Sequence, residues 1–220
     1  HNNQFKKKPF FQNNSNRKVI CLDFDGVFVN PSIIKSKYLQ EAGYNVKPEH
    51  SSRKECLNKG VPIKEYTMIS SLVASDHIMD SPIEKNCINI INWIQNYLDI
   101  YIVTSRSELE IKPLLKFIIF HKIKINGVAY VGNDNKLNAL SVLKPIIYID
   151  DSLDKLLNLL VDDFTKVSGS ISKCDLFLYS NNTNKSAIIG KNTPISIING
   201  WLKIKNLIYN YELNVNKVVD

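Results

Sequence analysis

Two carboxylates stand two residues apart in Asp23-Phe24-Asp25, and Gly26 follows at once. A glycine there lets the backbone turn sharply and brings both acids toward one point. Close carboxylates repel. Such a pair either divides into different protonation states or is held together by a cation, and both outcomes serve catalysis. The string alone equally describes an ordinary surface turn. A helix-loop-helix calcium site fits poorly, because Gly26 comes too early and no matching series of ligands follows.

Further groups with chemical capacity recur later in the chain. Thr104-Ser105-Arg106 offers a hydroxyl and a guanidinium that can grip a phosphate with two N–H groups. Lys136 falls in the first turn of an expected helix, where a cation opposes the helix dipole and so invites a functional reason. Lys144, just before Pro145, is its rival. Asp150-Asp151 supplies a second acidic pair, whose structural alternative is to cap the helix after Ser152.

The elements that must position these groups are legible from periodicity. Val19-Ile20-Cys21-Leu22 is a short apolar run ending abruptly at Asp23, as a buried parallel strand does when it emerges from a sheet. Ile100-Tyr101-Ile102-Val103 ends at Thr104 and Ile146-Ile147-Tyr148-Ile149 ends at Asp150 in the same way, with weaker strands expected near 128–131 and 176–179. Helices are expected from Ser81-Pro82-Ile83-Glu84, which reads as a capping box, and from Ser107-Glu108-Leu109-Glu110. Others should start near Asn135, after Ser152 and after Thr193-Pro194. This alternation predicts an α/β fold, a Rossmann-like parallel sheet sandwiched by helices, with ligands bound at the strands' carboxyl ends. Residues 29–82 interrupt the alternation and read as a small helical cap inserted after the first strand, with helices after Asn30-Pro31 and from Ile63 to Val73. The expected division is a basic leader at 1–17, a core of 18–28 and 83–220, and the cap at 29–82.

Acids, hydroxyl, ammonium and acids, in that order at successive strand ends, resemble the haloacid dehalogenase superfamily over about residues 18–160. The first and last acidic strands carry the resemblance most strongly. It implies a magnesium-dependent phosphatase in which Asp23 is the nucleophile and becomes an aspartyl phosphate, while Asp25 serves as general acid and base. It further implies a metal held by Asp23, the backbone carbonyl of Asp25 and Asp150, with Asp151 one layer out. Thr104, Ser105, Arg106 and Lys136 would bind the phosphate. The cap at the first insertion point, the Thr-Ser-Arg string and the tandem aspartates are most similar to the 5'(3')-deoxyribonucleotidase group, as is the tail with Asn181, Asn182 and Trp201. Response-regulator receivers use related groups in a different order. No dinucleotide-binding glycine pattern, P-loop at Gly190-Lys191-Asn192, or HExxH motif is present.

Composition bounds the remaining possibilities. At 220 residues, 44% hydrophobic and 22% charged, the chain can bury a core and is neither collagen-like nor low-complexity. Of its +7 net charge, Lys6, Lys7, Lys8, Arg17 and Lys18 contribute five units before any acid appears, so the basic balance is a poor argument for a nucleic-acid surface on the domain. Nucleic acid remains an alternative partner through that leader. Cys21, Cys56, Cys87 and Cys174 lack metal-ligand spacing, no run is long enough to cross a membrane, and a soluble, cytoplasmic protein is expected. The expected substrate is a small phosphate monoester. A nucleotide would find Tyr38, Tyr44, Tyr66 and Met68 in the cap to hold its base, whereas Lys35, Lys37, Arg53 and Lys54 suit a larger anion, such as a sugar phosphate or a 3'-phosphorylated nucleic-acid end. A binding module that keeps the fold without turnover is the alternative of another class.

Overall fold

Strands that read as unbroken apolar runs must be covered on both faces, and they are. The computed structural model describes residues 16–132, 135–161, 174–181, 184 and 193–215. In chain order they form β1 (Val19–Leu22), α1 (Ser32–Glu41), α2 (Arg53–Asn58), α3 (Ile63–Ser75), α4 (Cys87–Ile94), β2 (Asp99–Thr104) and α5 (Glu108–Phe120), then β3 (Gly127–Tyr130), α6 (Leu137–Leu143), β4 (Ile147–Asp150), α7 (Leu153–Val161), β5 (Asp175–Ser180), β6 (Ser196–Asn199) and α8 (Trp201–Val215). The strands make one parallel sheet in the order β3-β2-β1-β4-β5-β6. Alternate residues of each strand serve opposite faces. Ile20 and Leu22 pack with α4, α5 and α8, while Val19 and Cys21 pack with α6 and α7. All four cysteines are free and buried. Among the described residues, no helix is long and apolar enough to cross a membrane.

The insert after β1 holds three helices around a core of its own, with Leu39, Val46, Cys56, Val61, Tyr66, Ile69 and Val73 buried together. Gly43, at φ 92°, follows the Ala42 cap of α1 and turns the chain away, as its sequence suggests. Two sequence expectations fail here and at the C-terminal end. Ser81-Pro82-Ile83-Glu84 does not open a helix. Those residues run antiparallel to 28–30, with the Asn30 amide donating to the Pro82 carbonyl and the Glu84 amide to the Phe28 carbonyl, both at 2.8 Å. Closing the stem of the insert overrides the local capping signal, and α4 starts only at Cys87, after Asn86 turns at φ 66°. Thr193-Pro194 likewise leads into the edge strand β6, which carries the β-branched pair Ile197-Ile198, and the helix waits until Trp201. The Pro113 that blurred the start of α5 lies inside that helix, beyond a capping box formed by Ser107 and Glu110. Of the leader, residues 1–15 lie outside the described residues. Arg17 is bound to the core, donating to the Gln95 carbonyl at 2.7 Å beside Asp99.

One long-range contact ties the last helix to the first strand's loop. Fully buried Trp201 donates from Nε1 to the Val27 carbonyl at 2.9 Å and meets Phe28 edge-on, with centroids 5.5 Å apart. Trp201→Ala is expected to lower the unfolding free energy by about 3–5 kcal/mol in urea denaturation. Trp201→Phe, which keeps most of the ring and strands only the Val27 carbonyl, should cost about 1–3 kcal/mol; equal stability of both variants with the parent would refute this bracing role.

Candidate active site

The sheet order reverses between β1 and β4, and their carboxyl ends lie side by side. The Asp23 amide donates to the Ile149 carbonyl at 2.8 Å, which fixes the first acid next to the strand that delivers Asp150. After β1 the chain makes a single tight turn, with the Phe28 amide on the Phe24 carbonyl, and Phe24 itself is buried against Phe28 and Phe117.

Oxygen atoms from Asp23, Asp150 and Asp151 all lie within 4.8 Å of one another. Lys136, at the start of α6, sits between two of them: its ammonium is 2.8 Å from Asp23 Oδ2 and 2.8 Å from Asp150 Oδ2. Asp23 Oδ1 accepts the Phe24 amide at 2.8 Å. Asp150 is wholly buried and accepts from Lys136, from the Tyr148 hydroxyl at 2.5 Å and from the Ser152 amide at 2.9 Å. Burial acts to raise its pKa, but Lys136 and Lys155 prevail and hold it well below the usual carboxylate range. Asp23 remains above its ordinary value, because burial, reinforced by Asp150, outweighs the pull of Lys136. Asp151 is pushed up to about 8 by burial and by Asp150 and Asp23. Three crowded carboxylates that resist simultaneous ionisation fit a hard divalent cation, whose oxygen-rich coordination would relieve the repulsion.

The remaining expected residues are placed less uniformly. Thr104 is buried at the end of β2, its hydroxyl accepting the Arg106 amide at 3.3 Å, and Ser105 beside it is exposed. Arg106 does not present a free fork for phosphate. Its Nε and Nη2 donate to the two oxygens of Asp25 at 2.9 and 2.8 Å, and its Cζ lies 5.0 Å from the centre of the Phe24 ring. Burial would raise the Asp25 carboxyl, but the guanidinium overrides it and holds the group below its ordinary value. The Asp25 side chain therefore stands outside the three-carboxylate cluster, while Asp151, expected one layer out, belongs to it. Lys144 lies exposed at the opposite end of α6 from Lys136 and caps that helix at φ 48°.

Several contributors escaped the sequence reading. Lys155, in the first turn of α7, lies 3.6 Å from Asp23 Oδ2, and Asp150 and Asp23 raise its pKa against the opposing effect of burial. The argument that singled out Lys136, a cation at the wrong end of a helix, applies to it unchanged. Tyr148 shares a strand face with Asp150 at the i, i+2 spacing, which was also readable. Asn181 had been named only through the tail's resemblance, with no role given, and Asn184 not at all: they bind each other reciprocally, Asn181 donates to the Gly26 carbonyl at 2.9 Å, and Asn184 donates to the Asp151 carbonyl at 3.1 Å. Asn182 and the stretch 190–192 lie outside the described residues.

No protein-family model and no curated protein matches the chain. Solved structures do. A Lactobacillus plantarum protein with a provisional phosphoglycolate phosphatase description aligns over 88% of this chain and 100% of its own at 13% identity and a TM-score of 0.61. The fold is haloacid dehalogenase-like. A Bacillus subtilis hydrolase of that superfamily, solved with bound magnesium, aligns over 88% and 99% at 10% identity and a TM-score of 0.55. An L-2-haloacid dehalogenase aligns over 87% and 99% at 7% identity and a TM-score of 0.51, so the shared architecture spans more than one reaction.

Two outcomes are expected for cation binding. Because Asp151 carries its proton up to about 8 without a cation, a magnesium or manganese titration at neutral pH should release close to one proton per ion. Apparent affinity should then rise as pH increases toward and through that value. Gly26→Ala, whose Cβ would lie 1.8 Å from Asp151 Oδ2 in a backbone at φ +85°, should abolish the calorimetric binding signal. Undiminished binding by that variant would show that Asp151 is not a ligand.

Proposed function

We propose that the protein is a phosphomonoester hydrolase that works through a phosphorylated Asp23 and uses a divalent cation, magnesium by its all-oxygen donor set. The observation that carries this reading is the Lys136 ammonium lodged between Asp23 and Asp150 at 2.8 Å from each, with Asp151 completing the cluster at the strand ends where the sheet order reverses. The phosphatase and magnesium-bound descriptions of fold relatives lend it further support.

In this reading Asp23 attacks phosphorus. An ionised carboxylate needs no base to do so, and the Phe24 amide with Lys136 fixes the orientation of its two oxygens. A cation held by Asp23, Asp150 and Asp151 supplies, when bound, the charge that offsets repulsion between a carboxylate and a phosphoryl dianion. Asp25 protonates the departing oxygen and later takes a proton from the water that cleaves the phosphoenzyme. The Thr104 hydroxyl and the Ser105 amide donate to non-bridging oxygens, and Lys155 adds positive charge. Residues 18–28 and 83–220 form the chemical core, and 29–82 selects the substrate.

Three of the cap's tyrosines already have polar partners of their own. The Tyr38 hydroxyl meets His77 at 2.5 Å, Tyr44 donates to Glu65 at 2.6 Å, and Tyr66 is buried in the cap's core beneath Lys35. A sugar phosphate or another small anionic ester therefore stands level with a (deoxy)nucleoside monophosphate.

Hydrolysis of 4-nitrophenyl phosphate should require magnesium, stop with chelator, and fall by about 10³-fold or more in Asp23→Asn, judged against loss of an essential nucleophile. Turnover that persists in Asp23→Asn excludes the phosphoenzyme. A panel of nucleoside monophosphates, sugar phosphates and 3'-phosphorylated oligonucleotides ranks the substrates, and silence across that panel favours the binding module.

A further inference from the structure

One side of α5 is buried, and much of what the other side leaves in water is apolar. Ile111, Leu114, Phe117 and Ile118 pack into the core. On the opposite side Leu115, Ile119 and Phe120 share a stripe at helical spacing and keep 44%, 75% and 68% of their surface exposed. Lys112 and Lys116 stand in the same stripe, and Lys122 follows just past the helix end, all three exposed. No acid occurs between residues 111 and 132. The helix's own two, Glu108 and Glu110, lie in its first turn, and Glu110 is turned back onto the Ser107 amide at 2.6 Å. Among the described residues, none of these lysines forms an ion pair. The surface continues onto α4. Asn92 donates to the Lys122 carbonyl at 3.3 Å and accepts the Lys124 amide at 2.8 Å, which seats the end of α5 beside that helix. Residues 85–98 also lack an acid, and Tyr97, 45% exposed, meets Trp93 with ring centroids 4.9 Å apart. Because α5 runs back from the end of β2 and β3 begins after it, this face lies toward the amino edge of the sheet, away from the three aspartates.

We propose that the outer face of α5 is a peripheral docking surface for an anionic phospholipid bilayer, with Ile119 and Phe120 entering the headgroup layer and Lys112, Lys116 and Lys122 meeting lipid charge. Large apolar side chains gathered on one exposed face mark an interaction surface rather than a solvated helix. Charge complementarity selects the occupant. A two-fold pair of this chain would set the patch against itself, lysine facing lysine, with no carboxylate in it to answer them. A nucleic-acid backbone would satisfy the lysines and leave Ile119 and Phe120 uncovered. A lipid surface offers both anionic headgroups and the hydrocarbon beneath them, and Tyr97 suits the boundary between the two. Contact of this kind needs no spanning helix and leaves the strand ends that hold the aspartates open. It does not depend on which reaction the site performs.

The test is flotation of the full chain with vesicles of phosphatidylcholine and phosphatidylserine, against vesicles of phosphatidylcholine alone. Binding is expected to the anionic vesicles only, weakening as salt is raised. Ile119→Ser with Phe120→Ser should lower the partition coefficient about tenfold or more, through loss of two apolar side chains from the interface. Lys112→Gln with Lys116→Gln should lower it about 30-fold, from the attraction of two ammonium groups to such a surface. All four side chains are exposed, so thermal unfolding of both variants should match the parent. Phe120→Trp gives a readout that removes nothing from the face: its emission should shift to the blue with anionic vesicles by more than that of the parent, which carries Trp93 and Trp201 alone. The proposal is overturned by a parent that does not bind, by an unshifted Phe120→Trp, or by binding that either double substitution leaves undiminished, as it would be if Lys6, Lys7 and Lys8 carried it. A parent dimer in sedimentation velocity that Ile119→Ser with Phe120→Ser splits would also overturn it, since the face would then belong to a second copy.

Discussion

Negative charge packed at one edge of a buried sheet is the constraint on which the site depends. Asp23, Asp150 and Asp151 converge within a few ångströms, and burial makes their joint ionisation costly. Lys136 relieves the conflict for two of them at once, and Lys155 stands behind it. The burial of Lys136 itself is tolerable only because two carboxylates face it. Each charge is the condition for the next.

The residues that carry chemistry were the more legible part of the chain. Asp23, Thr104 and Asp150 terminate apolar runs, and a run that stops at a polar residue is visible without any knowledge of what lies beside it. Lys136 was visible as an electrostatic anomaly at a helix start, and it stands where that anomaly suggested. What Arg106 does was not visible, because a guanidinium near the site could bind phosphate or bind Asp25, and only the three-dimensional approach of α3 and the β1 loop decides. The roles of Asn181 and Asn184 were hidden for a similar reason: their partners are backbone carbonyls of Gly26 and Asp151, and backbone partners leave no trace in side-chain patterns.

The same division holds for the fold. Strands of the sheet's interior announced themselves through composition, as did the helices that pack on them. The misread boundaries lie where a long-range pairing outbids a local preference. Ser81-Pro82-Ile83-Glu84 has the chemistry of a helix start, yet the chain there must meet residues 28–30 to close the insert, and those backbone bonds prevail. At Thr193-Pro194 the open edge of β5 recruits the β-branched run that follows into β6.

The bond from Trp201 to Val27 bears on how the protein is made. It spans 174 positions, joining the loop that follows the first strand to the beginning of the last helix. On the ribosome, where synthesis runs from the amino end at about 5–20 residues per second, the loop holding Asp23 and Asp25 emerges well before its buttress. The loop therefore gains its buried tryptophan partner only after every strand of the described sheet has been synthesised.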